Sequence, residues 1–211
     1  MAVPVSALEA LGRLREGNRR FLSGNQSRDT ATSHIQRMES LAGQRPFAVI
    51  LGCSDSRVPV ETVFDQGFGD LFVIRVAGNI VAPSQIGSVE FAAERFGTRL
   101  VVVLGHTHCG AIEATLEELQ RPTASQSRNL HSIVQRIQPA VEGLLATDLK
   151  RDFVALARQA VRANVRISVD HLRHGSDVLE DLAEKDGLLI VGAEYALESG
   201  VVDFFAGVPA R

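Results

Sequence analysis

The chain has no tryptophan, one tyrosine and only two cysteines in 211 residues. Two cysteines far apart cannot build the disulfide framework of a small secreted domain, so a reducing, cytoplasmic setting is expected. No apolar stretch approaches the roughly 18 residues that span a bilayer. The first residues lack the basic-then-apolar pattern of a signal peptide, and Glu9 and Glu16 argue against a transit peptide. Charge of neither sign dominates. A net charge of −3 gives no electrostatic reason to expect nucleic acid or an anionic membrane as partner. What is present, 45% hydrophobic and 22% charged residues, is the composition of an ordinary globular protein with one buried core.

The pattern along the chain predicts a single α/β domain over 1–211, with an N-terminal helical arm in 1–33 and an α/β core in 46–211. Ser6, with Glu9 three positions later, is a helix start signal. The helix over 6–22 places Leu8, Leu11, Leu14, Phe21 and Leu22 on one arc and Arg13, Arg19 and Arg20 on a solvated face. The polar stretch 24–33 reads as a loop leading this helix away from the core. From residue 46 onward, strands and helices alternate. Strands are expected at 47–51, 71–76, 100–104 and 188–191, all continuous apolar runs of the kind that parallel sheets bury on both faces. An edge strand is expected at 201–205. Helices are expected at about 85–96, 111–119, 129–146 and 151–174, with a loop over 121–128. The helix over 151–174 is apolar on two sides, which suggests cover by another helix or another subunit. No internal repeat, low-complexity tract or linker interrupts this organisation, so a mostly parallel sheet of four strands plus an edge strand, flanked by helices, is the economical fold.

The two cysteines stand in chemically rich surroundings. Cys53 opens Cys53-Ser54-Asp55-Ser56-Arg57 after the first strand, and Cys109 closes His106-Thr107-His108-Cys109 after the third. Both strand ends should surface at the same edge of the sheet, where open α/β sheets place their chemistry. Two thiolates and an imidazole suit zinc rather than calcium or magnesium and leave a fourth position open. A Cys53–Cys109 disulfide is the bland alternative, but it gives His106 and Asp55 no role. Asp55 and Arg57, two residues apart, can pair so that the carboxylate accepts a proton carried by water on the metal; otherwise they are a surface ion pair. A cysteine-phosphatase reading fails, because Arg57 comes too soon after Cys53 to close a phosphate loop.

These segments resemble the signatures of the β-class carbonic anhydrases, in Gly52-Cys53-Ser54-Asp55-Ser56-Arg57-Val58-Pro59 and Gly105-His106-Thr107-His108-Cys109-Gly110. The resemblance extends to residues 69–75 and 87–92, to Glu16-Gly17-Asn18-Arg19-Arg20-Phe21, and to Val191-Gly192-Ala193-Glu194-Tyr195. It implies one Zn2+ per chain held by Cys53, His106 and Cys109, and reversible hydration of CO2 to bicarbonate and a proton. Asp55, paired with Arg57, would accept a hydrogen bond from zinc-bound hydroxide; in an inactive state Asp55 would itself become the fourth ligand. The N–H of Gly110 would steady the developing oxyanion. Gln44 and Phe72 match substrate-pocket residues of the plant-like branch, delivered there across a dimer interface, so a homodimer or homotetramer is implied. The other branch binds inhibitory bicarbonate and uses a tryptophan three residues before the first cysteine. Ile50 stands there, and no tryptophan exists anywhere. The plant-like branch, without a bicarbonate lock, is therefore expected, although Arg75 matches the arginine of that inhibitory site. Hydrolysis of carbon disulfide or carbonyl sulfide, or a non-catalytic zinc- or bicarbonate-binding subunit, are the alternatives.

Overall fold

A computed structural model describes residues 5–26, 38, 41, 43–121 and 127–209. Most of the loop expected over 24–33, His34, and residues 122–126 of the loop over 121–128 lie outside them. Five strands, Ala48–Gly52 (β1), Leu71–Arg75 (β2), Leu100–His106 (β3), Leu189–Tyr195 (β4) and Val202–Ala206 (β5), form one sheet in the order β2-β1-β3-β4-β5. The first four are parallel, and β5 runs antiparallel to β4. All five residues of β1 and all seven of β3 are buried, as central strands covered on both faces must be. Around them lie the helices Ala7–Ser23 (α1), Val60–Val63 (α2), Pro83–Arg95 (α3), Gly110–Gln120 (α4), Arg128–Leu145 (α5), Phe153–His174 (α6) and Asp177–Lys185 (α7).

The two-residue period of a strand divides the core into two faces. Ile50, Leu100, Val102 and Leu104 point to one side and pack with Ala10, Leu11 and Leu14 of α1. Val49, Leu51, Val101 and Val103 point to the other, against Val89 and Ala92 of α3, Val165, Val169 and Leu172 of α6, and Leu179 of α7. A third cluster gathers at the carboxyl ends of the strands, where Cys53 and Cys109 meet Ile112, Leu116, Ile137, Leu156 and Val161. Much of both apolar sides of α6 is covered within this chain, by the sheet and by the third cluster, while Phe153 at its start is exposed. No described helix is long and apolar enough to cross a membrane.

The N-terminal helix departs from the expectation. Ser6 caps it, accepting from the Glu9 N–H at 3.3 Å, but α1 lies against the sheet rather than being led away from it. Its contact stripe is Ala7, Ala10, Leu11, Leu14, Gly17 and Asn18, while Leu8 and Leu22 are exposed. Small residues are needed because the chain at Phe64 passes close by: a Cβ on Gly17 would stand 1.7 Å from the Phe64 carbonyl oxygen. Arg20, expected in water, reaches the buried Asp65 at 2.5 Å. We expect Gly17→Ala to destabilise the fold by about 3 kcal/mol, the upper end for overpacking, seen as a lower urea midpoint with an unchanged slope.

Strand β4 runs four residues past the expected end, through Gly192, Ala193, Glu194 and Tyr195. Gly192 interrupts the apolar run for a packing reason, since a Cβ there would lie 2.6 Å from a Val165 methyl of α6. The added length sets His106 beside Tyr195 in the ladder.

Candidate metal centre

Parallel pairing of β1 with β3 sets Gly52 against Leu104, so Cys53 leaves the sheet beside Gly105 and His106. The chain then turns through Thr107 and His108 into α4, whose N-cap position is Cys109. All three candidate ligands are buried, and their ligand atoms lie within 4.8 Å of one another. The two Sγ atoms are 3.9 Å apart, and both thiols are free. A disulfide would bring them to about 2.05 Å. Two thiolates each about 2.3 Å from a tetrahedral ion would stand about 3.8 Å apart. The disulfide alternative does not describe this pair.

His106 completes the set. Its Nδ1 lies 2.8 Å from the Thr107 carbonyl, which can only accept, so Nδ1 carries the proton and Nε2 presents a lone pair. That Nε2 is buried and has no hydrogen-bond partner. A buried polar atom left unpaired requires a reason, and an ion between it and the two sulfurs supplies one. The hydrogen bond from the Cys109 thiol leads in pulling Cys53 down to about 4, helped by His106 and the Gly78 N–H against the cost of burial. The same contact, with burial, pushes Cys109 up. Burial works against charge on His106, but the neighbouring Cys53 sulfur and the Thr107 carbonyl raise it on balance. A cation bound by these groups would displace the remaining thiol protons to solvent. A Cys2His set of this kind, with its fourth position unclaimed by protein, fits zinc.

Asp55 stands at that open side, its Oδ2 3.8 Å from His106 Nε2. Arg57 grips it in a fork, Nε to Oδ1 at 2.9 Å and Nη2 to Oδ2 at 2.7 Å, and the Arg57 N–H adds a third bond to Oδ1 at 2.9 Å. The Arg57 side chain holds the Asp55 carboxyl well below the usual carboxylate range. Arg57 Nη2 also donates to the His108 carbonyl at 3.0 Å. Arg75 donates to the carbonyls of Cys53 at 3.0 Å and Asp55 at 2.5 Å, fixing the loop backbone. Gly110 opens α4, so its N–H is one of the four first-turn donors without an intrahelical acceptor.

Two expected pocket residues lie elsewhere. Phe72 pairs in register with Val49, about 13 Å of strand back from Cys53, and packs with Phe91 and Phe96, each at 6.1 Å between ring centroids. Gln44 is exposed, before the start of β1 and next to Gly69. This chain's own fold therefore does not bring Gln44 and Phe72 to its own metal centre.

One group beside the centre had no signal in the sequence. Glu198, on the turn between β4 and β5, accepts from Thr107 Oγ1 at 2.8 Å and contacts His108 Nε2 at 2.9 Å. Ninety residues separate it from the segment it holds, and no local pattern links them.

The sequence profile of the carbonic anhydrases matches residues 48–202. The chain belongs to that family. Carbonic anhydrase 2 of Mycobacterium tuberculosis is 37% identical over 197 residues, covering 93% of this chain and 90% of the relative. The carbonic anhydrase of Mycolicibacterium smegmatis is 36% identical over 201 residues, covering 95% and 92%. Among solved structures, the β-carbonic anhydrase CafA of Aspergillus fumigatus superposes with a TM-score of 0.73 at 25% identity, covering 95% of this chain and 91% of that one. The chain is a carbonic anhydrase of the β class.

Proposed function

We propose that this protein catalyses the zinc-dependent, reversible hydration of CO2 to bicarbonate and a proton, with one zinc per chain on Cys53, His106 and Cys109. The observation that carries the reading is the buried Cys2His set with an orphaned His106 Nε2, facing a carboxylate that Arg57 holds in a fork. Zinc in such a site lowers the pKa of water to about 7 and so supplies hydroxide at neutral pH. The residues do the rest. Asp55 is ionised through the neutral range and can only accept, so it would accept a hydrogen bond from the hydroxide and thereby orient an oxygen lone pair toward the carbon of CO2. Arg57 keeps both carboxylate oxygens engaged, which holds Asp55 off the metal. The Gly110 N–H, at the start of an eleven-residue helix, is placed to donate to the oxygen on which charge develops.

The plant-like reading agrees with the surroundings of the loop. Ile50 is fully buried in the core, and Arg75 is occupied by the carbonyls of Cys53 and Asp55. That leaves no lock to draw Asp55 away from Arg57. Because Gln44 and Phe72 sit at the far end of the sheet, their substrate contacts require a second copy of the chain, in a homodimer or homotetramer with the active site at the dimer interface.

Stopped-flow hydration of CO2, with zinc measured on the same sample, tests the function. We expect about one zinc per chain and a kcat/KM above about 10⁶ M⁻¹s⁻¹, in the upper part of the enzymic range. Full zinc without hydration would overturn the activity while sparing the metal site. Hydrolysis of carbon disulfide or carbonyl sulfide in place of hydration would reassign the substrate.

A further inference from the structure

Resting on the reading above, we propose that Glu198 is a positioning residue: by holding Thr107 and His108 it fixes the carbonyl against which Arg57 braces, and so the direction in which Asp55 faces the metal centre. Thr107 is buried and its hydroxyl is fully used, donating to Glu198 Oε2 at 2.8 Å and accepting from the Leu197 N–H at 3.0 Å. The Thr107 N–H donates to the Tyr195 carbonyl at 3.0 Å. Four residues, Thr107, Tyr195, Leu197 and Glu198, are thereby tied into one unit.

His108, adjoining that unit, is its weak point. Its φ of 54° lies in the left-handed region, which a residue with a Cβ occupies only under constraint from its surroundings. This turn of the backbone aims the His108 carbonyl at Arg57 Nη2, 3.0 Å away. Glu198 Oε1, 2.9 Å from the imidazole Nε2, is the nearest group that holds the residue there; Glu113 is farther, at 3.9 Å from Nδ1. Arg57 is then bracketed, with the Asp55 fork on one side and the His108 carbonyl on the other. Remove Glu198 and that carbonyl is free to rotate away, leaving Arg57 to follow Asp55 rather than to fix it.

Glu198 itself stands on a firm base. Asn18 of α1, buried, donates to the Gly200 carbonyl at 2.9 Å and accepts from the Val202 N–H at 3.0 Å. Gly200 turns the chain with a φ of 78° and bonds back to the Ala196 carbonyl at 2.8 Å. A path of hydrogen bonds therefore runs from the N-terminal helix through the hairpin to the metal loop and ends at Asp55. Glu198 and His108 are both more than half exposed, so their contact contributes little to stability. Its effect belongs to geometry, where a displacement of about 1 Å can cost 10²-fold in rate.

The test compares Glu198→Ala and Glu198→Gln in the zinc enzyme and in the Arg57→Ala background. Glu198→Ala is expected to keep its zinc and melting temperature but lose about tenfold in kcat with KM unchanged, within the range of positioning effects. Glu198→Gln, whose amide oxygen still accepts from Thr107, should recover most of that rate. In the Arg57→Ala background the alanine change should cost less than about twofold, because the path is already cut. An equal loss in both backgrounds, or a loss that tracks a fall in melting temperature, would overturn the proposal. The visible spectrum of the cobalt-substituted protein reads the same geometry without turnover. A band shift shared by Glu198→Ala and Arg57→Ala supports positioning even if CO2 proves not to be the substrate, and no shift in Glu198→Ala counts against it.

Discussion

Cys109→Ser is expected to lose metal and CO2 hydration together while the fold survives or even gains stability. The metal loss follows from the ligand chemistry. A serine hydroxyl is harder than a thiolate and stays protonated at neutral pH, so zinc would face one thiolate and one imidazole. Removing a group that only supports a ligand costs about 10–100-fold in metal affinity, and removing the ligand itself costs more. The fold survives because Cys109 is the N-cap of α4 and makes no side-chain cap bond. Serine is among the best N-cap residues, and an introduced hydroxyl has free first-turn N–H donors to accept from. The check is zinc content after dialysis against a chelator, with a thermal melt of the metal-free protein alongside. We expect less than about a tenth of a zinc per chain and an apo melting temperature at or above that of the metal-free parent. Chelator should lower the melting temperature of the parent, because ligand binding to the native state stabilises it, and leave the variant unmoved. A variant that kept zinc and rate would remove Cys109 from the ligand set.

The Cys53, His106 and Cys109 cluster was legible because its information is local. Cys53 and the His106–Cys109 segment each follow an unbroken apolar run, and parallel strands place their carboxyl ends at one edge. The Asp55–Arg57 fork also lies within a single turn of chain. Elsewhere the signal failed for identifiable reasons. The arc chosen for α1 weighted large residues such as Leu8 and Leu22, whereas the helix approaches so closely at Phe64 that Ala7, Ala10 and Gly17 make the contact. Gly192 looked like the end of a strand, yet its lack of a side chain is what allows α6 to lie on β4. Helix α7 was missed because Leu179 is its only fully buried residue, although Ser176 caps it through the Leu179 N–H at 3.2 Å. The role of Asn18 in joining α1 to the β4–β5 turn, and of Glu198 in reaching back to Thr107, depends on contacts between distant segments. Gln44 and Phe72 are a different case: nothing within one chain brings them to the metal centre, so geometry alone assigns them only if a second subunit is added.

Asp55→Asn separates metal binding from chemistry. The substitution keeps the size of the side chain, and none of the three metal ligands is touched, so zinc content should be unchanged. An amide oxygen can still accept one bond from Arg57, but the amide N–H2 replaces the oxygen that Arg57 Nη2 now meets at 2.7 Å, putting donor against donor. The fork opens, and the group facing the nucleophile is no longer an obligate acceptor. Loss of a positioned proton acceptor costs about 10²–10⁴-fold, and we expect kcat to fall by that amount with KM little changed. Stability should respond in the opposite proportion. The native Asp55 carboxyl titrates well below the value near 3.9 of an unfolded chain, so its charged form stabilises the fold above that value, and the contribution shrinks below it and is lost only as pH falls through the depressed folded-state value. Parent and variant should therefore differ in unfolding free energy at neutral pH and differ less, without fully converging, at pH 3. The difference should stay below about 1 kcal/mol, because Arg57 is half exposed and solvent screens the pair. Stopped-flow rates with zinc analysis, and urea melts at pH 3 and pH 7, measure both effects. A variant with full zinc and full turnover would show that the fork orients nothing; a variant without zinc would show that Asp55 helps to hold the metal.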